Sequence, residues 1–122
     1  QALARYRRIH TERSPQIVIV TYNLGSTLSD AGHPDQALAH LSAAAGFAAE
    51  IFPEGHLNTA LINAKYGECL GRLARYPQAE AVLLPASEQI TTQLGADHWR
   101  SRQTAEWVAE LYSRWGKSPV GD

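Results

Sequence analysis

A repeat of 42 residues is the feature that most constrains how this chain can fold. When the 122-residue sequence is shifted by 42 positions, residues 15–56 align with residues 57–98, and eight positions are identical. Self-similarity at such a period is typical of stacked units, each of which buries its apolar residues only against its neighbours. Most of the identical positions are small or apolar residues at helical spacing: Gly25/Gly67, Leu28/Leu70, Gln36/Gln78, Ala37/Ala79, Ala39/Ala81, Leu41/Leu83, Ala44/Ala86 and His56/His98.

The same register divides the chain into units of a single domain. Residues 1–10 align with the end of the second helix of a unit, and residues 15–56 and 57–98 form two complete units. Residues 99–116 align with a first helix alone, and residues 117–122 form a tail. The sequence therefore predicts one all-α domain built from antiparallel helix pairs. Because no methionine is present, we also expect the chain to be part of a longer protein.

Two segments oppose this helical interpretation. The β-branched run from Ile17 to Thr21 favours a strand by propensity. We predict a helix there, because the aligned segment, residues 59–63, has a clear helical pattern. Pro85 lies inside the predicted fourth helix, where it removes a backbone donor, so we expect a kink at that position.

The spacing of large and small residues resembles a known repeat. Both complete units are similar to the tetratricopeptide repeat (TPR). The first unit has the pattern Thr21-x2-Leu24-Gly25-x2-Leu28, followed by Ala37-x3-Leu41-x2-Ala44. The second unit has the pattern Asn63-x2-Tyr66-Gly67-x2-Leu70, followed by Ala79-x3-Leu83-x2-Ala86. The 42-residue period resembles the kinesin-light-chain variety, and residues 98–116 resemble the last repeats of TPR tails on bacterial kinases and regulators. The family has a large aromatic residue where this chain has Thr21 and Asn63. The resemblance implies a right-handed α-solenoid whose concave groove binds a peptide or protein segment.

Small and large positions of the pattern have separate roles. We expect Gly25, Gly67 and Ala109 to let a neighbouring helix approach closely, as do Ala37 and Ala79 from the second helices. The space between helices is expected to be filled by the large apolar residues of the pattern, each worth about 1.5–3 kcal/mol when buried: Leu24, Leu28, Leu41, Tyr66, Leu70 and Leu83.

The family's pattern also assigns the residues of the groove. Its peptide-binding candidates are Tyr22, Asn23, Ser26, Lys65, Glu68, Arg72, Gln103, Trp107 and Arg114, and its other wall positions are Ile19, Asp30, Leu61, Ala64, Glu106 and Glu110. Asn23 corresponds to an asparagine that bonds a peptide backbone in kinesin-light-chain-like members, but Lys65 and Trp107 occupy the equivalent positions. The alternative is an ordinary solvated helix face, on which Lys65 pairs with Glu68, and Glu110 with Arg114.

Composition and the lack of motifs exclude several other functions. With 11 basic and 12 acidic residues the net charge is −1, which does not favour nucleic acid or an anionic membrane, and no apolar run is long enough to span a bilayer. No convergent catalytic set, phosphate loop or metal-ligand spacing is present, so we expect no enzyme activity, cofactor or metal. His56 and His98 share one repeat position at a helix start, which indicates a structural role in capping or packing.

Cysteine content and the lack of a leader bear on location and assembly. Cys69 is the only cysteine, which excludes an internal disulfide, and no signal peptide is recognisable, so we expect a cytoplasmic protein. Besides a peptide ligand, the open C-terminal helix suggests an alternative function in self-association as a homodimer.

Overall fold

Five helices make up the part of the chain that the structure describes. A computed structural model describes residues 14–117, and it contains helices and turns but no strand within that range. The predicted helix end at residues 1–10 lies outside the described residues, as does the predicted tail apart from Lys117. The helices are α1 (Pro15–Asp30), α2 (Pro34–Ile51), α3 (Leu57–Arg72), α4 (Tyr76–Leu94) and α5 (Trp99–Trp115).

Consecutive helices pack as antiparallel neighbours. At the start of α1, Val18 shares a buried cluster with Ala48 near the end of α2, while Gly25 in the middle of α1 lies against Leu41. The same relation holds between α3 and α4, where Gly67 lies against Leu83. The all-α class and the consecutive packing of the helices agree with the sequence prediction.

The predicted close approach of the helices depends on the missing side chain of glycine. A Cβ atom built on Gly67 would lie 2.8 Å from the Cβ of Leu83, and one built on Gly25 would lie 2.8 Å from the Cγ of Leu41. Neither distance is compatible with van der Waals packing, so both positions must remain free of a side chain unless the helices separate.

The first helices of successive units lie beside one another and run in the same direction. Lys65 of α3 contacts Trp107 of α5, 42 residues later, and Arg72 of α3 contacts Ser29 of α1. The direction follows from a second contact in each pair of helices. Gly71 of α3 lies against Leu111 of α5, and Ile62 of α3 shares a buried cluster with Val18 of α1, so the residue numbers increase along both helices together. This row of α1, α3 and α5 contains the residues that the sequence analysis assigned to one wall.

The turns that follow the first helices share one backbone conformation. Gly32, Ala74 and Gly116 are 42 residues apart, and all three have positive φ, of 93°, 62° and 71° respectively. Ala74 is the one non-glycine residue with positive φ among residues 14–117. The repeat is therefore present in the backbone as well as in the side chains.

The histidines of the repeat cap the helices. Nδ1 of His56 accepts a 3.0 Å hydrogen bond from the backbone N–H of Asn58, and Nδ1 of His98 accepts one of 3.1 Å from that of Arg100. Each bond satisfies a backbone donor that has no acceptor within its own helix. The sequence left capping and packing open for this shared position, and the structure shows capping.

The two segments that opposed the helical interpretation are both helical. Residues 17–21 lie within α1, where Val18 and Thr21 are buried, so packing outweighs their preference for a strand. Pro85 lies on the exposed side of α4, which runs without interruption from Tyr76 to Leu94.

The predicted core is correct for the leucines that face a neighbouring helix. Leu41, Leu70 and Leu83 are fully buried. The prediction for Leu24 is wrong, because its side chain is 41 % exposed, whereas its repeat partner Tyr66 is partly buried against α4 and α2. Together with Ile19 and Val20, Leu24 belongs to the exposed apolar residues of α1.

Candidate functional site

The side chain of Lys65 is the centre of the row formed by α1, α3 and α5. Its Nζ donates a 2.8 Å hydrogen bond to Oδ1 of Asp30 at the end of α1. The same Nζ lies 5.4 Å from the centre of the Trp107 ring on α5, within reach of a cation–π interaction. Wall positions from three successive units therefore meet at one charged group.

Lys65 is more deeply buried than a typical residue of an open groove. Its side chain is only 10 % exposed, whereas that of Asp30 is 68 % exposed. A buried ammonium is costly unless charged and polar partners replace its water. Asp30, Glu68 and Trp107 supply these partners, so Lys65 links the three helices and exposes little of itself to a ligand.

Arg72 binds the C-terminal end of α1. Its Nη1 donates 2.8 Å hydrogen bonds to both the backbone oxygen and the Oγ of Ser29, which lies in the last turn of α1. A guanidinium at this position satisfies a carbonyl and opposes the negative end of the helix dipole. Arg72 also lies 3.9 Å, through its Nε, from Oε2 of Glu68.

Glu68 lies between the two cations but is poorly solvated. Its side chain is 14 % exposed, and its Oε1 is buried without a hydrogen bond, although Nζ of Lys65 is 3.8 Å away. Burial raises the pKa of the Glu68 carboxyl above its ordinary value, and the charges of Lys65 and Arg72 only partly offset this effect. The cost of removing water from the ionised carboxylate therefore exceeds its attraction to Lys65 and Arg72.

Trp107 and Arg114 extend the same surface onto α5. Together with Glu68 and Glu110 they line a hollow of about 10 Å³, which is room for no more than one water molecule. Trp107 is half-buried and Arg114 is exposed. The hollow is too small for a ligand, so any partner would have to contact the rim of the wall.

The other candidates lie outside this network. Asn23 is exposed, whereas Tyr22, Ser26 and Gln103 are half-buried. Tyr22 packs against the core formed by α1 and α2, which includes Leu41. Of the nine candidates, the structure therefore brings together Lys65, Glu68, Arg72, Trp107 and Arg114.

The ion pairs predicted from helical spacing are found in part. Lys65 and Glu68 form an ion pair at 3.8 Å. Within residues 14–117, no ion pair joins Glu110 and Arg114, so these two groups stay available on the surface. The sequence analysis did not single out Ser29. The 42-residue register aligns Arg72 with Asp30, which is the residue after Ser29.

The remaining reactive side chains do not converge on a second site. The buried thiol of Cys69 donates a 3.3 Å hydrogen bond to the backbone oxygen of Pro34, and burial raises its pKa. The portion of the chain that the structure describes contains no group of three His, Cys, Asp or Glu side chains that could hold a metal ion. In the same portion, no helix has the length and apolar character needed to cross a membrane.

No family model matches the sequence, and no curated protein is similar to it. Functional conclusions must therefore come from the residues and contacts described above.

Proposed function

We propose that this chain is a non-catalytic, TPR-like interaction module that binds a peptide or protein segment along the surface shared by α1, α3 and α5. In this proposal the helix pairs form part of a right-handed solenoid, within a larger protein of the bacterial cytoplasm. The module would bring its ligand to the other domains of that protein.

The observation that carries the proposal is the position of Lys65 between Asp30 and Trp107. These three residues come from three successive units, and the family's pattern assigns all of them to one wall. A surface that is continuous over several units suits an extended ligand, because each unit can contact a different part of it.

The buried charges would act on the ligand indirectly. Lys65 and Arg72 are bound to Asp30 and Ser29, so they fix the spacing of α1 and α3 rather than reaching outward. A wall that is rigid before binding loses less conformational entropy when the ligand arrives. Direct recognition would then depend on the more exposed groups, which are Asn23, Asp30, Trp107, Glu110 and Arg114.

A selection from a peptide library on the folded chain tests the proposal. We expect selected peptides to lose affinity by about tenfold or more when Asn23 or Arg114 is replaced by alanine, as is common for central contacts. Both side chains lie on the wall and are accessible, Asn23 at the surface of α1 and Arg114 at that of α5. Neither substitution should therefore change the stability of the fold by much.

Arg75 provides the matched control, since it is an exposed arginine in the turn between α3 and α4 and is not one of the assigned wall positions. The variant Arg75→Ala should bind the selected peptides as the unchanged chain does. Peptides that bind all three variants equally well would show that the wall is not the binding surface.

A further inference from the structure

The side chain of Val20 on α1 is exposed at a position that is covered in the later units. Val20 is 59 % exposed. Its equivalents in the 42-residue register are Ile62 of α3 and Thr104 of α5, which are only 6 % and 2 % exposed. The second helix of the preceding unit, α2 or α4, packs against each of these two residues. Within residues 14–117, no helix precedes α1 to cover Val20 in this way.

The covering contacts are equivalent in the two later units. Ala45 of α2 packs against the buried cluster that includes Ile62. In the next unit, the Oγ of Ser87 on α4 donates a 3.3 Å hydrogen bond to Oγ1 of Thr104. Ser87 lies 42 residues after Ala45, as Thr104 does after Ile62. The same two positions of the register therefore meet in both units.

Residues 1–10 contain the side chain that corresponds to this contact on Val20. Leu3 lies 42 residues before Ala45. Leu3 and Val20 are both apolar, and the two observed pairs are matched in the same sense, apolar between α2 and α3 and polar between α4 and α5. Tyr6 aligns with a position that is fully buried in both α2 and α4. The segment therefore has apolar side chains at both of these inward positions.

The connection between this segment and α1 has the length and the cap of the later connections. Residues 11–13 align with the turns that precede α3 and α5. Ser14 aligns with the capping His56 and His98, and its Oγ accepts a 3.1 Å hydrogen bond from the backbone N–H of Gln16. A segment joined to α1 by such a turn can reach the side of α1 as α2 reaches that of α3.

We propose that residues 1–10 of this chain cover the exposed side of α1 by packing antiparallel to it, with Leu3 against Val20. Burial of these two apolar side chains is the driving force. A second copy of the chain is the weaker competitor, because a segment tethered by one turn meets α1 at a much higher effective concentration than another molecule does. The proposal is independent of the function proposed for the wall of α1, α3 and α5.

Labelling of an introduced thiol tests whether Val20 is covered in the full chain. Val20→Cys should react with a maleimide at least about tenfold more slowly than Ile19→Cys, because a covered thiol reacts only when the segment opens. Ile19 is the matched control, since it is the adjacent residue and is 51 % exposed. The native thiol of Cys69 is buried and serves as the slow reference.

A substitution in the segment shows whether Leu3 makes the contact. In the Val20→Cys chain, Leu3→Asp should restore fast labelling, because a carboxylate is costly in an apolar contact. Ala4→Asp is its control, since Ala4 aligns with the exposed positions Gly46 and Glu88. This second substitution should leave the thiol protected.

A disulfide measures the proximity directly. The chain with Leu3→Cys and Val20→Cys should form an intramolecular disulfide under mild oxidation, since the equivalent side-chain oxygens of Ser87 and Thr104 are 3.3 Å apart. The chain with Leu3→Cys and Ile19→Cys should not, because adjacent helical residues point in different directions.

Three results would overturn the proposal. If Val20→Cys and Ile19→Cys were labelled equally fast, the side of α1 would be open. If Ala4→Asp restored labelling as much as Leu3→Asp does, Leu3 would not make the contact. If Val20→Cys alone formed a disulfide between two molecules, the side of α1 would belong to a second copy.

Discussion

The Nζ of Lys65 lies 2.8 Å from Oδ1 of Asp30, a residue 35 positions earlier in the chain, and this bond joins the second unit to the end of the first. The same ammonium lies 5.4 Å from the centre of the ring of Trp107, which belongs to the third unit. A single buried cation therefore contacts three successive units.

The first prediction concerns this ion pair. Asp30→Asn removes the negative charge but keeps the size of the side chain, and it leaves the Lys65 ammonium buried with weaker partners. We expect the free energy of unfolding to fall by about 1–2 kcal/mol, since Asp30 is itself largely exposed. Urea denaturation measures this change. Glu54→Gln, in the exposed turn before α3, serves as the control and should change stability by less than about 0.5 kcal/mol.

The second prediction compares two glycines that lie within helices. Gly67→Ala places a Cβ 2.8 Å from that of Leu83, so we expect a net loss of about 1–3 kcal/mol of stability. Gly46→Ala in α2 adds the same atom where nothing lies within 4 Å, and it should stabilise the protein by about 1 kcal/mol through helix propensity. Thermal unfolding of both variants gives the comparison. Equal effects of the two substitutions would contradict the close approach of α3 and α4.

The third prediction concerns the pH dependence of stability at Glu68. Because burial raises the pKa of this carboxyl above the ordinary value of 4.5, the folded protein holds the proton more tightly than the unfolded chain does. The ionised form therefore lowers stability, and this loss develops as the pH rises from 4.5 through the raised pKa. Glu68→Gln cannot ionise, so the variant should be the more stable protein at pH 7.

Urea denaturation at several pH values tests this prediction. The advantage of Glu68→Gln over the unchanged chain should shrink as the pH falls toward 4.5 and should disappear below it. The opposite result would be that Glu68→Gln loses stability relative to the unchanged chain as the pH rises from 4 to 7. That result would show that the attraction of the Glu68 carboxylate to Lys65 and Arg72 exceeds the cost of its burial.

The fourth prediction uses the repeated turn. Ala74 has a φ of 62°, a conformation that costs a residue with a side chain about 1 kcal/mol. We therefore expect Ala74→Gly to raise stability by up to about 1 kcal/mol and Gly32→Ala to lower it by a similar amount. A Cβ on Gly32 has nothing within 4 Å, so its loss would come from the backbone alone. Calorimetry of the two variants should give shifts of opposite sign.

Much of the fold could be predicted from the sequence because the repeat gives two independent observations of each position. The segment of residues 17–21 is an example, since its strand propensity was outweighed by the helical pattern of the aligned segment. Gly25 and Gly67 likewise predicted where two helices approach each other. Leu24 could not be predicted in this way, because the repeat shows the type of position but not which neighbouring helix covers it.

The candidate site was less predictable than the fold. Lys65, Trp107 and Arg114 were assigned to one surface, and the structure places Lys65 with Trp107 and Trp107 with Arg114. The burial of Lys65 could not be predicted, since it depends on the distance between α1 and α3. The bond between Arg72 and Ser29 also depends on that distance, and no local sequence pattern indicates a contact between residues 43 positions apart.

The left-handed turns at Gly32, Ala74 and Gly116 have a consequence for how such a protein can change in length. Because the backbone leaves every first helix in the same way, a segment such as residues 33–74 begins and ends at equivalent joints. A tandem duplication of that segment would connect to the existing chain without a new type of junction. Gene duplication, or a designer, can therefore extend the array by whole units, and each added unit lengthens the surface on which new specificities can evolve.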